Sequence, residues 1–198
     1  MSSMRHLRYL MLILVVNACT PESLSVEQLN TYLLDQKNGL IKRTVVNDVS
    51  IDLVYRPSDI VLSSHVGSNN VDSASLPVMR RRYESYLYFV ISLSKGGQNV
   101  LKPDVSGAQY SELVNTLSFQ MDRFIFATTG SDTIRVEAFQ LDRLHEIQGP
   151  TKVLVAFPRD QFNEQAFDIN LREFGLGTGA QRFRFQFDDI KTVPKLRL

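Results

Sequence analysis

Few side chains in this sequence have the type and spacing for chemistry. His65 lies in a serine-rich stretch, and His145 stands beside Glu146. A zinc-binding helix of the His-Glu-x-x-His kind would need a second histidine at position 149, where the residue is Gly149, so no metal site is expected there. Gly175-Leu176-Gly177-Thr178-Gly179 has the look of a phosphate cradle. Such a loop works only when a following helix aims its first amides at the anion, and the residues that follow alternate like a strand. It is therefore expected to be a turn between strands. Asp188-Asp189 offers two carboxylates, too few for the six to eight oxygens of calcium, and is read as a solvated strand end. No Gly-x-Ser-x-Gly elbow occurs, so no serine nucleophile is indicated.

The one local concentration of basic and aromatic side chains is Arg80, Arg81 and Arg82 followed by Tyr83, Tyr86 and Tyr88. These six residues are the candidate binding surface, for an envelope protein or a glycan. Nucleic acid is not expected as a partner, because the 198 residues carry 22 Lys plus Arg against 21 Asp plus Glu, which gives no basic field to attract a polyanion. No catalytic residue and no cofactor are assigned.

The sole cysteine, Cys19, follows a short export-type segment. Arg5 and Arg8 precede the apolar run from Tyr9 to Val16, and Val16-Asn17-Ala18 leads directly to Cys19. A spanning helix needs about 20 apolar residues, so this run is a signal-peptide core and not a transmembrane anchor. The arrangement looks like a bacterial lipoprotein box, with cleavage after Ala18 and a thioether-linked diacylglycerol on Cys19. At about 0.8 kcal/mol per buried methylene, several acyl chains anchor a protein essentially permanently. Residues 1–18 are thus expected to be a removed signal and residues 19–25 a lipidated tether, with residues 26–198 as one β-rich globular domain. Removing the signal leaves 20 basic against 21 acidic residues, so the lipid, and not a polybasic patch, holds the membrane. Thr20 stands where enteric lipoproteins kept in the inner membrane carry Asp. The expected location is the outer membrane, facing the periplasm ahead of the cell surface.

The elements that must position the candidate residues follow from periodicity. Ser25 and Gln28 have capping-box spacing before Val26, Leu29, Leu33 and Leu34, predicting a helix from Val26 to Gln36. Ile41–Val46 and Val49–Tyr55 flank Asn47-Asp48 as a β-hairpin. Pro57 ends the second arm and starts a helical turn through Leu62, and Ser63–Ser75 reads as an exposed loop. Leu76–Tyr83 is a short helix. Tyr86–Leu93 is a central strand buried on both faces, turned by Lys95-Gly96-Gly97. Tyr110–Leu117 is helical, and Phe119, Met121, Phe124 and Phe126 lead into a strand that ends before Gly130. Thr133–Leu141 is the returning arm, and Lys152–Phe157, Phe167–Leu171 and Arg182–Phe187 are further strands. About eight strands with two or three short helices predict a mostly β fold at the edge of α+β. The expected form is an antiparallel β-sandwich-like domain with an N-terminal helix and short helical insertions. A split into two subdomains near Ser63–Ser75 is the alternative.

Asn38-Gly39-Leu40, Tyr55-Arg56-Pro57-Ser58-Asp59, Tyr86-Leu87-Tyr88-Phe89 with Ser92, Phe157-Pro158-Arg159-Asp160 and Pro194-Lys195-Leu196 together resemble a group of uncharacterised lipoproteins from Bacteroidota. The resemblance covers most of the chain after Cys19. It implies an envelope location and no activity. The function expected is a noncatalytic accessory or binding lipoprotein of an outer-membrane assembly. A glycan- or solute-binding lipoprotein is the alternative, ahead of a small envelope hydrolase.

Overall fold

The computed structural model describes residues 23–68, 72–101, 107–130, 132–142 and 149–197. Ala18, Cys19 and His145, with the signal segment, lie outside the described residues. The chain enters through β1 (Ser23–Leu24) and α1 (Val26–Leu34). Ser25 caps α1: its Oγ accepts the Gln28 N–H at 3.3 Å, and Gln28 Oε1 accepts the Ser25 N–H at 3.1 Å. The helix stops at Leu34, two residues before the expected end. The Asp35 carboxylate accepts the Lys37 N–H at 3.0 Å and holds a tight turn instead. Gly39 then reverses the chain at φ 70°.

β2 (Ile41–Val46) and β3 (Val49–Arg56) form the expected hairpin. Asn47 and Asp48 both take positive φ, 49° and 64°, as a two-residue turn matched to strand twist requires. α2 (Ser58–Ser68) and α3 (Leu76–Glu84) precede β4 (Tyr86–Lys95), which turns into β5 (Gln98–Asn99). Then come α4 (Gly107–Phe119), β6 (Ile125–Thr129), β7 (Asp132–Arg135), β8 (Ala138–Asp142) and β9 (Thr151–Pro158). β10 (Ala166–Leu171), β11 (Gln181–Gln186), α5 (Phe187–Lys191) and β12 (Lys195–Leu196) complete the described chain.

The fold is mostly β, and its two larger sheets are antiparallel throughout. One runs β2-β3-β4-β9-β8, with β5 hydrogen-bonded to β4; the other runs β11-β10-β6-β7. Side chains alternate across each strand. Leu87, Phe89, Ile91 and Leu93 of β4 therefore share a face with Val153, Val155 and Phe157 of β9, and all are buried. Phe167, Ile169, Phe183 and Phe185 supply the opposing face. The sheets meet at Phe89, whose ring lies 5.0 Å from Phe185 and 6.1 Å from Phe167, with Tyr55 at 5.6 Å and Phe157 at 6.2 Å in its own sheet. Edge and tilted contacts of this kind add to the apolar burial. One connected set of buried side chains includes members of both sheets and of α1, α2 and α4.

Five expectations need correction. Ser63–Ser75 is not a loop: α2 continues to Ser68, and a further turn spans Ser73–Ser75. Ser63 and Ser64 donate their hydroxyls to the Ile60 carbonyl at 2.9 and 3.0 Å, so serines that favour turns are satisfied inside a helix. Thr133–Leu141 is not one arm. β7 pairs with β6, whereas β8 pairs with β9, and the Glu137 N–H bonds to the Ala156 carbonyl at 2.9 Å as the chain changes sheets. Asp188-Asp189 is not a strand end but the first turn of α5, where carboxylates suit the unpaired amides. β4 is fully buried on one face only, since Val90 and Ser92 on its other face are half-buried. The tether reading reaches too far, because Ser23 and Leu24 already pair in parallel with Lys195 and Leu196, and Leu24 packs on the core.

Because Phe89 touches both sheets, truncating it opens a cavity at their shared centre. Phe89→Ala is expected to cost about 3–5 kcal/mol in urea unfolding followed by circular dichroism. A loss below about 1 kcal/mol would mean that the sheets are not held together there.

Candidate functional site

α2 and α3 lie side by side and leave a trough of about 820 Å3 between them, within the size range of sites that enclose a small ligand or an anchor side chain. Its walls are Leu62, Val66, Leu76 and Pro77. Asp59, Arg80, Arg81 and Glu84 form the charged part of its lining. Two carboxylates and two guanidinium groups give this lining no net charge, and Arg80 Nε lies 3.7 Å from Asp59 Oδ1. Local sequence explains the pair of helices. Pro57 accepts the Ile60 N–H at 3.0 Å at the start of α2, and Pro77 sits in the first turn of α3, where a missing N–H costs nothing. Ser85 ends α3 by donating its hydroxyl to the Arg82 carbonyl at 2.7 Å.

The structure splits the Arg80–Tyr88 cluster into parts with different roles. Arg80 and Arg81 line the trough, and Arg82 is exposed outside it. Tyr83 stacks on Tyr88 with ring centroids 6.0 Å apart and planes at 28°, and Tyr86 lies 6.1 Å from Tyr88. Tyr88 is only 8% exposed, so it belongs to the floor beneath the helices and not to a contact surface. Burial, with Tyr83 and Tyr86 beside it, pushes its phenol well above the ordinary value. Tyr86 donates its hydroxyl to Glu137 at 2.7 Å, and that hydrogen bond to a carboxylate raises its pKa. His65, read from sequence as a surface or hydrogen-bonded structural residue, is exposed, and it lies on α2 rather than in a loop, with its ring 6.0 Å from Tyr83.

The glycine-rich segment is a turn between β10 and β11, as expected, and it does use anion-binding physics. The anion is the chain's own Glu173. Its Oε1 accepts the N–H groups of Gly175, Leu176 and Gly177 at 2.8, 2.7 and 2.8 Å. Its Oε2 accepts the Gly179 N–H at 2.6 Å and the Thr178 hydroxyl at 3.2 Å. A run of backbone amides around one carboxylate is a nest. Burial disfavours the charge, but the four amide donors outweigh it and hold the Glu173 carboxyl below its ordinary 4.5. The sequence signal was a glutamate two residues ahead of the glycines, and the reading missed it.

On β10, Asp168 accepts from the Arg182 guanidinium across the strand pair. Its other oxygen is buried with no hydrogen-bond partner among the described residues. Arg56 projects from the outer face of β3, donates to Asn30 of α1, and has its pKa lowered by burial. Among the described residues no three His, Cys, Asp or Glu side chains group to hold a metal.

A carboxylate whose pKa is depressed by folding stabilises the protein above its ordinary pKa, and that contribution is lost as pH falls through the lowered folded value. Glu173→Gln is therefore expected to lower stability by about 1–2 kcal/mol at pH 7. Its urea midpoint should converge with that of the unaltered chain in acid, below about pH 4. A gap that persists undiminished at pH 2 would show that charge on Glu173 is not what holds the loop.

No family model, curated protein or solved structure matches this chain.

Proposed function

We propose that this chain is a lipid-anchored protein of the bacterial outer membrane that binds another envelope protein and catalyses no reaction, like the Bacteroidota lipoproteins it resembles. The anchor is the diacylglycerol on Cys19, and the bound partner fills the trough between α2 and α3. The single observation that carries the binding reading is the chemistry of that trough. Its walls are aliphatic, its charges cancel, and the Asp59 carboxylate is matched to Arg80 rather than poised as a general base. Such a lining suits an apolar side chain presented by a protein. No helix among the described residues is long and apolar enough to cross a membrane.

Two measurements on cells that make the protein test this reading. Mass spectrometry should find an acylated cysteine as the mature amino terminus, and Cys19→Ser should move the protein out of the membrane fraction. An intact Met1 with a free thiol would end the anchor reading. Crosslinking in native envelopes should capture one stoichiometric protein partner, and Val66→Trp, which fills the trough, should reduce its capture at least tenfold. A chain that crosslinks to nothing and turns over an envelope polymer would end the binding reading.

A further inference from the structure

The two lateral sides of the sandwich are built differently. On one side the edge strands β7 and β8 are joined by the chain itself as it crosses between sheets at Val136 and Glu137. On the other side the edge strands are β2 and β11, and no hydrogen-bond ladder joins them. A hydrogen bond and a close backbone approach fasten them at their two ends. Asn47, in the turn after β2, donates to the Gly177 carbonyl, ahead of β11, at 2.7 Å. Gly39, just before β2, packs so tightly on Asp189 of α5 that a Cβ there would lie 2.1 Å from the carboxylate. The start of each strand therefore lies near the end of the other, and β2 and β11 run antiparallel. Between the two fastenings is a groove of about 560 Å3.

Hydrogen-bond phase shows which backbone groups face this groove side. The Tyr55 N–H bonds to the Leu40 carbonyl at 2.9 Å, so β2 turns Lys42, Thr44 and Val46 toward β3, and Ile41, Arg43 and Val45 face outward. The Phe187 N–H bonds to the Gln165 carbonyl at 2.7 Å. β11 accordingly turns Phe183 and Phe185 toward β10, leaving the backbone groups of Arg182, Arg184 and Gln186 pointing away. Among the described residues none of these outward groups has a backbone partner. Lys42, Arg43 and Thr44 line one side of the groove, and Gln181, Arg182 and Arg184 the other. Four cations and no carboxylate line it. Asp52 and Asp168, from neighbouring strands, engage Arg43 and Arg182. Lys42 and Arg184 have no carboxylate partner among the described residues, and Lys42 lies 5.5 Å from the Phe185 ring.

We propose that this seam is a strand-addition site for an extended acidic segment of a protein partner, paired along β11 with its carboxylates beside Arg182 and Arg184. Backbone pairing supplies affinity and alternate side chains supply selectivity, as in other sheet-edge recognition. Cations on an edge strand also discourage self-association. The same charges select against a second copy of this edge and for a strand of opposite sign. The site is separate from the α2–α3 trough and does not depend on the lipid anchor.

The test uses the full chain in detergent and a fluorescein-labelled eight-residue peptide of alternating Glu and Val, read by anisotropy. Saturable binding is expected, with at least tenfold weaker affinity for Arg184→Glu, no change for Arg135→Glu on the opposite edge strand β7, and no binding of a Lys/Val peptide. Peptides N-methylated at alternate residues separate pairing from simple charge attraction without altering the protein. One methylation phase should abolish binding and the other should leave it within threefold. Absence of saturable binding, or equal binding of both methylated phases, would overturn the proposal. So would dimers of the chain without peptide that Arg184→Glu disperses, since the occupant would then be a second copy.

Discussion

The contact between Phe89 and Phe185, across the two sheets, is the constraint on which the other features depend. Each sheet is apolar on one face, and neither can bury that face alone. Phe89 sits in the middle strand of the larger sheet, and Phe185 sits in an edge strand of the smaller one. Their meeting brings an edge strand of the smaller sheet against the middle strand of the larger. Lys42 then lies over the Phe185 ring, where its stem can cover apolar surface while its charge reaches water. The core thus ends at a cationic margin, and the seam between β2 and β11 is the outer rim of the same packing.

Much of this was legible in the residues, for identifiable reasons. The β2–β3 hairpin follows from Asn47-Asp48 between β-branched runs, and the capping box of α1 follows from Ser25 and Gln28, because both signals act over a few residues. Partner choice was not legible. The alternation that buries Ile134 and Val136 shifts phase before Leu141, but period alone says which side chains point inward without saying which sheet they point from. α2 was read only as a turn ending at Leu62, and its continuation was missed because serine is scored by its preference for turns, whereas Ser63 and Ser64 spend that preference on the Ile60 carbonyl. Of the six residues first grouped as a surface, Arg80 and Arg81 line the trough, and Tyr88 is beneath it. A tyrosine's burial depends on what the helices cover, which is tertiary information.

The trough itself is a consequence of how helices cover a sheet. Tyr83 stacks on Tyr88, which holds α3 against the outer face of β4, and His65 of α2 reaches the same Tyr83. Aromatic contacts on one side of the helix pair set its position, so the side lined by Leu62, Val66, Leu76 and Pro77 stays open. An aliphatic lining left open in this way is costly in water, at about 25 cal/mol per Å2 of apolar surface. A partner that covers it recovers that free energy.

Glu173 couples loop chemistry to the seam. Its carboxylate holds the Gly177 N–H, and the Gly177 carbonyl accepts from Asn47 of the β2–β3 turn. One residue of the nest is therefore also one of the two fastenings between the sheets' free edges. The loop's conformation is set by the charge on Glu173, because Gly175, Gly177 and Gly179 all take positive φ, at 100°, 71° and 65°, and turn their amides inward around it. Without that charge the glycines would have many alternatives, since they lose more freedom on ordering than any other residue. An anion supplied from within the chain thus fixes one end of a groove whose lining attracts anions from outside. The two do not compete, because the Glu173 nest is built from backbone amides and the groove from guanidinium and ammonium groups on the strands.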